Sequence, residues 1–181
     1  MFLLALLPCA AHAQVDGSWT FGTVGNQDYR LDAVSSPAIF AGTLPASDAT
    51  LTLTLGERYQ VLVAAGHPLT IISKAAAFGS DVRLLQQGTF AGSLEGDPEI
   101  GWVDADGLVT FTVTQTLVDA MNAGGRIPGY RCGAHPANMR GNFDIVTPPV
   151  IPLLDAPAWT ALAAVLLGAA AWRVRPRRRA V

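Results

Sequence analysis

The chain reads as an all-β domain of the sandwich class, and three observations predict it. Apolar and polar residues alternate strictly over several stretches, glycine and proline cut the chain into strand-sized segments, and 181 residues suffice for one ordinary core but not two. About seven or eight short strands with turn residues between them favour a sandwich over other β architectures.

Residues 1–13 are expected to be a signal peptide. An apolar run over 2–7 precedes Ala11-His12-Ala13, the small-x-small pattern read by signal peptidase, so cleavage is placed after Ala13 with Gln14 first in the mature chain. The run lacks a Lys or Arg n-region, which a start codon assigned too far downstream would explain. Cys9 offers a lipoprotein alternative, although Pro8 stands where a lipobox carries a small residue. With cleavage after Ala13, Cys9 and His12 leave with the leader.

The body, 14–147, carries the strands. They are expected near 29–34 and 38–42. Leu51-Thr52-Leu53-Thr54-Leu55 alternates without a break, Gly56 and Glu57 turn the chain, and 59–63 alternates again, which together predict a half-buried antiparallel hairpin. A short strand over 69–72 follows His67, and Leu108-Val109-Thr110-Phe111-Thr112-Val113-Thr114 makes a strong one after the Asp106-Gly107 turn. Segments 130–132 and 142–146 close the domain. Residues 116–123 fit a helical turn, whereas 74–99 is too irregular to place. Within and after that stretch, Glu95, Asp97, Glu99, Asp104 and Asp106 lack the twelve-residue calcium loop with its terminal Glu and read as a solvated loop and hairpin turn.

A Pro-rich linker over 148–157 leads into an apolar segment, 158–172, and then a basic tail, 173–181, with Arg173, Arg175, Arg177, Arg178 and Arg179. As a helix the segment rises roughly 22 Å at about 1.5 Å per residue, a short or tilted span against a bilayer core of about 30 Å. Arginines at its far end predict a transmembrane helix whose C-terminal end stays in the cytoplasm, with Trp159 and Trp172 as interface anchors. The alternative is a buried helix of the domain, which leaves five arginines without acidic neighbours. The tail, through Ile151-Pro152-Leu153, Leu154, Trp159 and the arginine cluster, resembles the IPTL-CTERM and PEP-CTERM sorting signals of Gram-negative bacteria, with Leu153 in place of the motif's threonine. That resemblance implies export, inner-membrane anchoring on the periplasmic side, cleavage by an exosortase-like processing enzyme, and release towards the cell surface or extracellular matrix.

Five of the twelve basic residues lie in that tail, so seven remain against fourteen acidic groups, a net of −7 that the whole-chain value of −2 conceals. An acidic body without a basic stripe argues against a nucleic-acid partner, whose phosphates need clustered Lys and Arg. The chain also lacks a G-x-S-x-G elbow, a zinc-hydrolase helix motif and a phosphate-cradling glycine loop, so no enzyme is expected.

With the leader removed, Cys132 is the single cysteine and His67 and His135 the only histidines. An exported domain cannot close an internal disulfide with one cysteine, so Cys132 is either buried and inert or bound to metal. Tyr130-Arg131-Cys132-Gly133-Ala134-His135-Pro136-Ala137-Asn138-Met139 presents a thiolate, an imidazole and a thioether in one loop, and Ala65-Gly66-His67-Pro68-Leu69 adds the second imidazole. Two imidazoles, one cysteine sulfur and a weak axial methionine form the donor set of a blue copper centre, here His67, Cys132, His135 and Met139 around one ion. The alternatives are packing roles, with Cys132 as a small hydrophobe, His67 as a turn residue and Met139 as core filler. Met121, near the helical turn, reads as packing. The strand from Tyr59 carries the chain up to His67 and the strand ending at Cys132 returns through Gly141, so both connections are expected to meet at one pole.

Tyr29, Ser36-Pro37, 50–54, Gly56, Tyr59, Gly66-His67-Pro68, Tyr130, Cys132, His135, Met139 and Gly141 together resemble the cupredoxins, in particular a bacterial cupredoxin-like group, over about residues 28–146. The resemblance implies a Greek-key β-sandwich and a mononuclear type 1 copper site serving electron transfer or copper holding, with an unknown redox partner. Pro68 departs from plastocyanin-like sites, where the N–H after the first histidine donates to the cysteine sulfur; its absence is expected to leave the sulfur more electron-rich. The interval from Cys132 to His135 resembles plastocyanin and that from His135 to Met139 resembles azurin. The alternative function is a metal-free cupredoxin-like module for surface or matrix interactions.

Overall fold

The computed structural model describes residues 14–105 and 107–148. The expected signal peptide, linker, sorting motif (Ile151, Pro152, Leu153, Trp159), transmembrane helix and arginine tail all lie outside the described residues, and so does Asp106. Among the described residues no helix is long and apolar enough to cross a membrane.

The structure is mostly β-sheet. Its elements in order are β1 (Gly17–Val24), β2 (Asp28–Val34), β3 (Ala46–Ser47), β4 (Leu51–Thr54), β5 (Arg58–Val63), β6 (Leu69–Lys74), β7 (Val82–Gln86), β8 (Val103–Ala105), β9 (Leu108–Thr112), α1 (Gln115–Asn122), β10 (Ile127–Cys132) and β11 (Arg140–Val146). Six strands form one mixed sheet in the order β3-β2-β1-β5-β9-β8, and five form a second in the order β4-β11-β10-β6-β7. Apolar residues of both sheets join one core, which includes Trp19, Phe21, Tyr29, Tyr59 and Phe111 from the first and Leu51, Leu53, Ile71, Tyr130 and Phe143 from the second. Two sheets sharing a core are compatible with a β-sandwich.

The alternation seen in the sequence sets the faces. Along β4 Leu51 and Leu53 are buried between part-exposed threonines, and along β9 Val109 and Phe111 are buried between Leu108, Thr110 and Thr112. Strands β6 and β10 lose this pattern because they are central in their sheet and α1 packs against both; five of the six β6 residues are buried. The helix starts at Thr114, whose side chain accepts the Leu117 N–H, and it buries Leu117 and Met121, so Met121 is a packing residue.

Three expectations need correction. Residues 51–55 and 59–63 are strands but not a hairpin: β4 pairs in parallel with β11, while β5 pairs with β1 and β9 in the other sheet. The link between them is a corner. Gly56, at φ 89°, donates to the Val113 carbonyl, Leu55 donates to Val146, and the Tyr59 hydroxyl donates to Glu57 Oε2 while accepting from the Thr54 N–H. Residues 38–42 are not a strand, because the chain turns after Pro37, with the Ile39 N–H on the Ser36 carbonyl. Conversely, β1 and β7 lie where no strand was expected, β7 within the unplaced stretch 74–99.

Candidate metal centre

Two connections at one pole bring the donors together. The chain leaves β5, crosses to the second sheet through residues 64–68 and enters β6; β10 and β11 are joined by residues 133–139. Because β10 pairs antiparallel with β6, Cys132 lies opposite Leu69, two residues past His67. The ladder itself therefore places the sulfur beside the first imidazole, although 65 residues separate them in the chain. His135 follows three residues after the sulfur.

Main-chain bonds tie these two loops into one unit. The Gly133 N–H donates to the Pro68 carbonyl at 2.7 Å, linking the loops directly. The Cys132 N–H donates to the Met139 carbonyl at 2.9 Å, and the Met139 N–H donates to the His135 carbonyl at 3.2 Å, closing the second loop on itself. A glycine is required at 141, since a Cβ there would run into the Tyr130 ring. Tyr130 is fixed in turn by donating its hydroxyl to the Ala49 carbonyl at 2.6 Å.

Cys132 Sγ lies 3.8 Å from His67 Nδ1 and 3.7 Å from His135 Nδ1, and one donor atom from each residue falls within 4.8 Å of the others. The imidazole rings sit 5.0 Å apart between centroids, at 35°. Bonds of roughly 2.3 Å to sulfur and 2.0 Å to nitrogen, at angles between tetrahedral and trigonal, separate sulfur from nitrogen by roughly 3.5–3.7 Å. The observed separations sit at and just beyond the upper end of that range, so His67, Cys132 and His135 form a group that could hold a metal ion. Cys132 is fully buried and, among the described residues, unpaired with another cysteine, while both histidines are half-buried, each beside an open cavity. The sulfur is thus shielded from water and the imidazole edges are not.

Met139, the fourth expected ligand, is fully buried in the core cluster, and its contribution to the loop is the two main-chain bonds just described. Pro68 contributes a carbonyl to the Gly133 N–H, as its missing N–H leaves it no other main-chain role.

One residue near the donors was quoted in the sequence pattern without a role. Tyr29 lies in β2 of the other sheet, and its hydroxyl donates to the His67 carbonyl at 2.6 Å. Burial, and after it the charge of the neighbouring Cys132, push the Tyr29 pKa far above the ordinary phenol range, so the group stays a neutral donor. Its ring stacks on Phe21 at 4.8 Å, and Phe21 meets Tyr130 at 4.9 Å, so the loop strap is rooted in the aromatic core. No spacing rule links Tyr29 to His67, 38 residues away; the contact exists because β2 and the β5–β6 crossing meet at the same pole.

No family model matches this chain, and no curated protein matches it.

Proposed function

We propose that the protein is a mononuclear type 1 copper-binding protein built on a cupredoxin-like Greek-key sandwich, serving electron transfer or copper holding. The observation that carries this reading is the convergence of one cysteine sulfur and two imidazole Nδ1 atoms from two braced loops, with sulfur–nitrogen separations of 3.7 and 3.8 Å. The donor chemistry favours copper: among the described residues no carboxylate belongs to the group, and a soft sulfur with two imidazoles suits copper better than the harder, oxygen-preferring cations.

His67, Cys132 and His135 would hold the ion, with Met139 as the fourth ligand. Copper would supply one-electron exchange. The remaining work belongs to the chain. The ladder between β6 and β10 and the bond from Gly133 to Pro68 keep the sulfur and the first imidazole at a set distance. Burial of Cys132 excludes water from the sulfur, and the half-exposed His135 edge provides an approach from outside. Ligation requires Cys132 as thiolate and both imidazoles neutral, and binding therefore releases protons. In this reading the chain is exported, anchored on the periplasmic side of the inner membrane through 158–172, and handed to an exosortase-like enzyme.

The test is a Cu(II) titration of the full-length protein. One equivalent should develop intense visible thiolate-to-copper absorption, which Cys132→Ser abolishes and Met139→Ala shifts. A colourless titration with no copper-dependent rise in Tm refutes the assignment and favours an interaction module without metal.

A further inference from the structure

Away from the three-donor pole, positive charge is concentrated at one place in an acidic body. Seven Lys and Arg residues precede the C-terminal arginines, and four of them, Lys74, Arg126, Arg131 and Arg140, gather on or beside one face of β6, β10 and β11. The register produces this. Lys74 lies opposite Ile127 and Arg131 opposite Arg140, so Lys74, Arg131 and Arg140 share a face, and Arg126 directly precedes β10.

Counter-charge at this place is incomplete. The fully buried Asp81 carboxylate accepts from Arg131 Nη1 at 3.0 Å and from Arg140 Nη2 at 2.8 Å, which engages both of its oxygens. Half-buried Asp48 is the other carboxylate whose charge reaches Lys74. Lys74 Nζ donates to Asn142 Oδ1 at 2.6 Å, a neutral partner. Among the described residues Arg126 makes no ion pair and no side-chain hydrogen bond, and the buried Nε of Arg140 has no partner. Burial, and after it the charge of Arg140, lower the Lys74 pKa, as expected where cations stand together without enough anions.

Lys74, Arg126 and Arg140 wall a cavity of about 700 Å³ together with Gly124 and Gly125, and among the described residues no carboxylate lines it. The two glycines, at φ 68° and 70°, fold the chain back after α1 and bring Arg126 to the cavity wall. We propose that this cavity is a binding site for a small oxyanion, a phosphoryl or carboxylate group, separate from the three-donor pole. Guanidinium forks match the paired oxygens of either group, and the ammonium adds a point charge. The proposal is independent of the metal assignment, because none of the three donor residues lines the cavity.

The experiment titrates the full-length protein with inorganic phosphate and, separately, with acetate at constant ionic strength, following Tm and the amide shifts of Gly124, Gly125 and Arg126. A saturable response to at least one anion is expected, and the one that saturates at lower concentration assigns the group. Arg126→Gln should weaken that response at least tenfold without lowering the anion-free Tm, since the guanidinium has no protein partner and stands among other cations. Arg30→Gln, which removes an exposed arginine paired with Asp32, should titrate like the wild type. Absence of saturation by both anions, an unaltered response in Arg126→Gln, or equal losses in the two variants overturns the proposal.

Discussion

Tyr29→Phe tests whether the aromatic core sets the position of the first imidazole. The substitution removes one hydroxyl and keeps the ring, so the stacking on Phe21 at 4.8 Å persists and no cavity forms. What is lost is the 2.6 Å bond to the His67 carbonyl, which then has to find water or go unpaired. A neutral hydrogen bond contributes about 1 kcal/mol net, and a part-buried carbonyl left without its donor brings the cost to about 1–2 kcal/mol. At about 3–5 °C per kcal/mol for a domain of this size, Tm without metal should fall by about 3–10 °C. The second readout is affinity. Groups that orient a metal-ligating histidine are worth about 10–100-fold in metal binding, so competition titration with a copper chelator should show a loss of at least tenfold. A lower Tm with unchanged copper affinity would mean that the strap stabilises the fold without orienting His67. An unchanged Tm would mean that the bond contributes nothing.

Two further outcomes follow from other places in the chain. Burial pushes the Asp48 pKa up to about 6, against the opposing main-chain donors Tyr29 and Arg140, so its contribution to stability is present below about pH 4 and is lost as pH rises through 6. Two pKa units correspond to about 3 kcal/mol, which half exposure reduces to about 1–2 kcal/mol. Asp48→Asn keeps an acceptor for the Tyr29 N–H and tolerates the residue's φ of 43°, so in urea unfolding it should exceed the wild type at pH 7 by about that amount and flatten the slope between pH 4 and 6; parallel curves for the two proteins would refute this. The membrane assignment predicts that the full-length protein fractionates with membranes and that deletion of 158–181 releases it. Equal partitioning of the two forms would contradict it.

Strand positions were legible wherever one face is buried and the other solvated, as at Leu51, Leu53, Val109 and Phe111, because burial follows a period of two. Partners were not legible. The corner at Gly56 and Glu57 looks locally like a hairpin turn, and only the bonds from Leu55 to Val146 and from Gly56 to Val113 send its two arms to different sheets. Strand β1 alternates Ser18, Trp19, Thr20 and Phe21 and carried a readable signal, whereas β7, Val-Arg-Leu-Leu-Gln, has three consecutive buried residues and no period. At the site, the residue types His67, Cys132 and His135 could be picked out because so few donors survive in the chain. The convergence depends on the β6–β10 register, and the Tyr29 strap depends on a different sheet; neither is encoded in local spacing. The clustering of Lys74, Arg126, Arg131 and Arg140 was hidden for the same reason, since these residues are scattered in sequence and meet only across the ladder.

The pairing of β10 between β6 and β11 also dictates when the donors can first meet. A growing chain presents His67 to its surroundings 65 residues before Cys132 exists, and the late strand β11 must find the early strand β4 before the second sheet is complete. Contacts so distant along the chain form slowly, on the order of milliseconds to seconds. If the site holds an ion as proposed, a nascent polypeptide offers that ion a lone imidazole with no sulfur beside it, and capture would await the pairing of the last strands.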